Sequence, residues 1–325
     1  MEHIHIAIAA NSNYIVPSTV LLQSIFEHNK ENDICIYLLY LEGSLSETEA
    51  AGIARFTEGR GGRFRPLCIK PEQLADFPET RHGKAALLRL CLPAMLPEVD
   101  KILYLDGDIV VKDSLAELYA TDLGDHYIAA GRDTCPVYHP ERMPLLGIDR
   151  EHWYFNSGVV LMNLKAFRGI DLPAIVSKYA AAHYDIIESP DQDALNFICA
   201  KRTVYLHPRY NMNYAVEKDV AAETWGADEV KAAKRNPAVI HYIGPVKPWS
   251  VRCTHPRRKD WWDCLGRTPY AGYRAADDTA ANRISTCIRI PLKAIENRFT
   301  LSGKRRLGRL LPGTLTRWVK KCLGK

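Results

Sequence analysis

The feature that most constrains this chain is an alternation, through its first half, of short apolar β-rich runs with stretches of helical periodicity. His3 to Ala10 (HIHIAIAA), Asp33 to Tyr40 (DICIYLLY), Arg63 to Lys70 (RFRPLCIK) and Lys101 to Leu105 (KILYL) read as buried strands. Between them, Ser18 to His28 and Ser46 to Arg60 carry helical spacing, and Ser46 stands three residues before Glu49, as a capping box requires. A further helix is predicted from Lys84 to Met95. Strand and helix in turn select a mostly parallel α/β sheet with right-handed crossovers, whose ligand crevice lies at the carboxyl ends of the strands. Strands at His126 to Gly131, Gly158 to Asn163, Thr203 to Leu206 and Ala238 to Tyr242, with helices near Asp171 to His183 and Asp191 to Ala200, extend the domain over residues 1 to 250. Residues 251 to 282, with Trp261, Trp262 and many breakers, read as an extension that packs on this domain or leaves it.

A chain of 325 residues has room for such a domain and an appendage, and 47% hydrophobic with 25% charged residues is a globular composition. The opening residues lack a basic leader and cleavable apolar core, and no apolar run reaches the ~18 residues of a membrane span, so the expectation is a cytoplasmic protein. Nine scattered cysteines without a CxxC pair predict reduced thiols. Charge is divided unevenly. Residues 283 to 325 hold twelve Lys or Arg and one Glu, a balance of +11, which leaves −6 of the total +5 for residues 1 to 282. In this basic tail Leu307, Leu310, Leu311, Leu315, Trp318, Val319 and Leu323 recur at near-helical spacing among the cations, and Pro312-Gly313 divides it into two amphipathic pieces. Cations beside Leu and Trp suit an anionic membrane surface, at about 1 kcal/mol per nearby cation. An ordinary solvated helix has the same pattern. Nucleic acid is not the expected partner, because the basic residues sit in one terminal segment with an apolar stripe and no nucleic-acid module.

Chemistry concentrates in four segments. Asp106-Gly107-Asp108 follows a hydrophobic strand directly, which sets two hard oxygen ligands at the crevice, where a divalent cation could also meet phosphate. The same tripeptide makes a good turn. His241 closes another apolar strand and opens His241-Tyr242-Ile243-Gly244-Pro245-Val246-Lys247-Pro248-Trp249. An imidazole beside two carboxylates is a mixed nitrogen and oxygen set that favours Mn2+, with Mg2+ as the alternative. Taken alone, His241 reads better as a satisfied buried histidine; the two motifs together favour the metal. Gly244 permits close approach of backbone to a diphosphate, and Lys247 is a mobile point charge for it. Asn156 and Ser157, in Phe155-Asn156-Ser157-Gly158, can bind sugar hydroxyls or cap a loop. Asp191, Gln192 and Asp193 can face a reacting sugar or serve the start of the helix that follows.

Together and in this order, these motifs resemble glycosyltransferase family 8, nearest to bacterial lipopolysaccharide α-galactosyltransferases and α-glucosyltransferases, over roughly residues 3 to 250. The resemblance implies a GT-A fold and retaining transfer of galactose or glucose from a UDP-sugar to a lipopolysaccharide or lipooligosaccharide core sugar, at the cytoplasmic face of the inner membrane. It implies that Asp106, Asp108 and His241 bind Mn2+. It also implies that Gly244 and Lys247 contact the diphosphate, and that Ala9, Asn11, Asn13, Tyr14, Arg89, Asp106, Gly107, Asn156 and Ser157 form the donor site. Asp191, Gln192 and Asp193 become the catalytic candidates. Asn11 stands where the family's first strand usually ends in an aspartate; an amide also pairs with uracil. Retention through a covalent adduct would need a carboxylate nucleophile. Gln192 is a poor nucleophile, and the expectation is attack on the face of departure, with Gln192 stabilising the oxocarbenium-like sugar.

Overall fold

The computed structural model describes residues 3–74, 84–149, 151–217 and 222–287; the basic tail beyond residue 287 lies outside them. Among the described residues nine strands form: β1 His3–Ala9, β2 Asp33–Leu41, β3 Arg63–Ile69, β4 Lys101–Leu105, β5 Ile109–Val111, β6 Ile128–Arg132, β7 Phe155–Asn163, β8 Thr203–Leu206 and β9 Val239–His241. Seven make one sheet in the order β3-β2-β1-β4-β7-β6-β8, and β5 pairs with β9 in a second. The large sheet is mostly parallel, as the alternation predicts, but β7 runs antiparallel to both β4 and β6.

Apolar runs become strands here because both faces of the sheet are covered. Ile4, Ile6 and Ile8 of β1 pack on one side with Leu21, Leu22 and Ile25 of the helix Ile15–His28. On the other side Ala7, Tyr37 and Leu39 meet Leu87, Leu90 and Tyr104. Each fully buried aliphatic side chain contributes about 1.5–3 kcal/mol. The helix Glu47–Glu58 opens with the expected capping box, Ser46 Oγ accepting from the Glu49 N–H at 3.2 Å and Glu49 Oε2 accepting from the Ser46 N–H at 2.8 Å.

Three local expectations shift. The segment predicted as a helix over Lys84 to Met95 is a 3-10 stretch, Lys84–Cys91, followed by one α turn, Leu92–Met95. Pro93 lacks the N–H that a continuous α-helix would send back to the Arg89 carbonyl. Strand β7 begins at Phe155, ahead of the predicted Gly158, because Phe155 pairs with Arg132 of β6 past a register shift; the Asn196 carboxamide also accepts from the Phe155 N–H at 2.7 Å and donates to the Phe155 carbonyl at 2.9 Å. Strand β5, which is not among the expected strands, follows Asp108 at once.

Of residues 251–282, the helix Arg258–Leu265 sets Trp261, with no exposed surface, against Val20, Val110, Ile240 and Tyr242, and Cys264 Sγ donates to the Val20 carbonyl at 3.3 Å. The eight cysteines among the described residues are free thiols. No helix among the described residues is long and apolar enough to cross a membrane.

Candidate active site

Asp106-Gly107-Asp108 bridges the two sheets. Asp106 leaves β4 beside the start of β7, its N–H donating to the Gly158 carbonyl at 2.9 Å. Two residues later the chain enters β5, where Ile109 pairs with His241 and the Tyr242 N–H donates to the Asp108 carbonyl at 3.0 Å. Pairing therefore brings His241 to the carboxylates: its Nε2 lies 3.4 Å from Asp108 Oδ1 and 3.7 Å from Asp106 Oδ2. The three residues each offer one ligand atom within 4.8 Å of the others. Two hard carboxylates and a borderline imidazole at this spacing fit a divalent first-row cation.

Asp108 and Lys247 are both largely buried and form an ion pair. Burial disfavours each charge, yet the His241 imidazole and Lys247 hold the Asp108 carboxyl well below the usual carboxylate range. Asp108 in turn overcomes burial to raise the Lys247 ammonium. Gly244, at φ +92°, takes a left-handed turn that a side chain would strain, and no atom lies within 4 Å of where its Cβ would stand. Gly107 is held by a close approach: a Cβ there would sit 2.9 Å from the Tyr14 ring, which packs edge-on to Trp249 at 5.8 Å. Ala9 ends β1, beside the end of β4, since Ile8 pairs with Leu105. Beyond it Asn11 caps the short turn Ser12–Tyr14 by accepting from the Asn13 N–H at 3.0 Å. Asn13 is exposed, and Asn11 and Tyr14 are half-buried on the same rim.

On the other flank Arg89 is 4% exposed and joins several of the predicted residues. It donates to Asp106 Oδ1 at 2.9 Å and to the Ser157 carbonyl, and its Nε is 3.5 Å from Asp191 Oδ2. Its guanidinium carbon lies 4.0 Å from the Tyr104 ring centre. Burial works against its charge; Tyr104, Asp106 and Asp191 outweigh it. Burial raises the Asp191 carboxyl above its ordinary range, against the pull of Arg89 and of Ser157 Oγ, which donates to it at 3.1 Å. Gln192 Oε1 accepts from the Ser157 N–H at 2.9 Å and from Asn156 Nδ2 at 3.2 Å.

Asp193 is placed differently. It is fully buried: Oδ1 accepts from Tyr154 at 2.5 Å, and Oδ2 accepts from Arg142 at 2.8 Å and from the Glu188 and Ser189 N–H groups at 3.0 and 3.1 Å. Both oxygens are committed to holding the start of the helix Pro190–Cys199.

Two residues outside the predicted site bear on its geometry. A Cβ on Gly158 would stand 2.1 Å from His241 Cε1 and 2.7 Å from Asp106 Oδ2, so only glycine lets the ring and carboxylate close. Asn211, 2% exposed, places Oδ1 2.9 Å from His241 Nδ1. The glycine belongs to a segment the sequence singles out; Asn211 stands in none.

Comparison with known proteins agrees with this architecture. The family model described as Glycosyl transferase family 8 matches residues 5–253. The chain is 26% identical to a lipopolysaccharide 1,2-glucosyltransferase of Escherichia coli (strain K12) over 274 residues, 83% of this chain and 79% of that one. It is 24% identical to general stress protein A of Bacillus subtilis (strain 168) over 277 residues, 83% and 95% of the two chains. Its fold superposes on the galactosyltransferase LgtC, crystallised with donor and acceptor sugar analogues, with a TM-score of 0.72 and 30% identity, covering 82% of this chain and 96% of the other. With the family model spanning most of its length and the GT-A sheet in place, the chain belongs to glycosyltransferase family 8.

Proposed function

We propose that this protein is a retaining hexosyltransferase that moves galactose or glucose from a UDP-sugar to a lipopolysaccharide or lipooligosaccharide core sugar, with Mn2+ held by Asp106, Asp108 and His241. The observation that carries the reading is the convergence of those three side chains beside Lys247. The relatives' names, a lipopolysaccharide glucosyltransferase and a galactosyltransferase, support the substrate class. When bound, the cation supplies positive charge to the diphosphate leaving group, a contribution of several kcal/mol.

The chain's own residues do the rest. Lys247 adds a second positive charge beside the cluster, and the turn at Gly244 lets backbone approach the diphosphate. Ala9, Asn11, Asn13 and Tyr14 receive the uridine at the end of β1, next to Asp106 and Gly107. Arg89 neutralises Asp106 and Asp191 and orders the Ser157 carbonyl between them, so that Asn156, Ser157 and Asp191 meet sugar hydroxyls at fixed positions. Gln192, pinned by the Ser157 N–H, faces the anomeric region and stabilises the positive charge that develops there. Asp193 supports the helix from behind and is no nucleophile. The reading is same-face attack, since a double displacement needs an unencumbered carboxylate, while Asp191 is engaged by Arg89 and Ser157 Oγ and Asp193 by Arg142 and Tyr154.

UDP release from UDP-galactose and UDP-glucose, measured with Mn2+ and with Asp108→Asn, tests the proposal. Release with both proteins alike would sink the metal site, and free hexose as the sole product under every acceptor would make the protein a hydrolase. The basic tail is proposed to hold the enzyme at the anionic cytoplasmic face of the inner membrane. Truncation after Asn282 should abolish co-sedimentation with anionic vesicles, and unchanged sedimentation would remove the anchor.

A further inference from the structure

We propose that Asn211 is a positioning residue that fixes which nitrogen of His241 faces the two carboxylates and ties that choice to the amides around Gln192. The inference rests on the metal-site reading above and adds a residue to it.

One backbone group here has a single possible role. The Gly158 N–H can only donate, so its partner at 3.1 Å must be the oxygen of the Asn156 carboxamide. That oxygen has a second neighbour at 2.9 Å, which must therefore be a donor, the Asn211 Nδ2. The Asn211 oxygen is thereby turned to His241 Nδ1, 2.9 Å away. An amide oxygen only accepts, so Nδ1 carries the hydrogen, and in the neutral ring Nε2 presents its lone pair to the side where Asp106 and Asp108 converge. A metal-binding imidazole needs this arrangement, with its far nitrogen donating to a fixed acceptor.

Packing gives Asn211 one place to stand. It closes the 3-10 turn Pro208–Asn211, is 2% exposed, and lies so near β6 that a Cβ on Gly131 would come within 3.1 Å of its own Cβ. From the other end of the chain of amides, Asn156 Nδ2 reaches Gln192 Oε1 at 3.2 Å and Asp133 Oδ2 at 3.4 Å. Two carboxamides, those of Asn211 and Asn156, therefore link the imidazole of the cluster to the carboxamide of Gln192.

The first test uses the parent protein labelled with 15N-histidine, metal-free and at alkaline pH. Long-range 1H–15N correlations should show His241 as the Nδ1–H tautomer, and an Nε2–H tautomer would overturn the proposal without any variant. Next, Mn2+ binding is read by the electron paramagnetic resonance of the free ion. Asn211→Leu, which removes both bonds at similar volume, should weaken binding about 10–100-fold and mix the tautomers. Asn211→Asp keeps an acceptor for Nδ1–H and should restore Mn2+ affinity to within about threefold, while UDP release stays low because the donor to Asn156 is lost. Parent-like affinity and tautomer in Asn211→Leu would refute the role. Asp108→Asn separates the two readings: if it binds Mn2+ as well as the parent does, the metal site is wrong, and the tautomer still decides the part played by Asn211.

Discussion

Gly158→Ala probes how tightly the candidate site is assembled. The added methyl would stand 2.1 Å from His241 Cε1, 2.8 Å from its Nε2 and 2.7 Å from Asp106 Oδ2. Carbon atoms in contact sit about 3.5 Å apart or more, so the ring must retreat by roughly 1.4 Å or β7 must leave β4. Separation of the strands is resisted by the Asp106 N–H bond to the Gly158 carbonyl at 2.9 Å and by the pairing of Leu105 with Val159. The imidazole and carboxylate yield instead. Overpacking costs about 1–3 kcal/mol of stability. A displacement of about 1 Å in the reacting geometry costs about 100-fold in rate. Activity should accordingly fall much further than stability. The assay is kcat/KM for UDP release across a Mn2+ titration, with thermal unfolding alongside and Gly272→Ala as control, because nothing lies within 4 Å of a Cβ at Gly272. We expect a loss of about 100-fold or more, a raised Mn2+ requirement and a Tm lower by several degrees. Gly158→Ala within threefold of the parent at equal Mn2+ would refute the packing argument.

Lys247→Met keeps the stem of the side chain and removes its charge; kcat should fall about 100-fold as leaving-group stabilisation is lost, and an unchanged kcat would place the diphosphate elsewhere. Asp193→Asn should mainly destabilise, by about 3–5 kcal/mol, since it breaks the buried pair with Arg142. A kcat collapse with an unmoved unfolding midpoint would instead identify Asp193 as a nucleophile. His255 is 8% exposed, and burial, with the fields of Arg257 and His241, pushes its imidazole down to about 3. Between pH 6.5 and 3 the unfolded chain takes up a proton that the folded one refuses, so this residue makes stability fall as pH falls. His255→Phe should flatten the pH dependence of urea unfolding in that window by up to roughly 1.4 kcal/mol per pH unit, and equal slopes would count against the burial.

What the sequence shows of this molecule depends on how local each constraint is. Strands β1, β2 and β4 are legible because both their faces are buried and their apolar runs are nearly unbroken. The carboxylates are legible because Asp-Gly-Asp follows such a run directly. Strand β5 is hidden in its three residues, since its partner β9 is remote in sequence and nothing local distinguishes it from the end of a turn. Asn211 is hidden for the same reason: its worth arises where β7 and β9 meet. The difference between Asp191 and Asp193 was within reach. Residues two apart on a helix point about 200° away from each other, so one carboxylate faces Arg89 and Ser157 while the other faces Arg142 and Tyr154.

The antiparallel strands explain why so many side chains can share one crevice. In a wholly parallel sheet every strand reaches the crevice only with its last residues, because the next begins at the opposite edge. Strand β7 enters at the crevice instead, with Val159 opposite Leu105, so that Asn156, Ser157 and Gly158 arrive at the start of a strand beside Asp106 at the end of another. The small sheet repeats the device, since β5 departs from Asp108 where β9 arrives with His241. Strand ends supply Asp106 and the imidazole, the start of β7 supplies Asn156, and Asn211 of the turn Pro208–Asn211 joins that amide to the ring. Side chains gathered in this way leave no room for a Cβ at Gly107, where the Tyr14 ring stands, or at Gly158, where His241 and Asp106 close on each other.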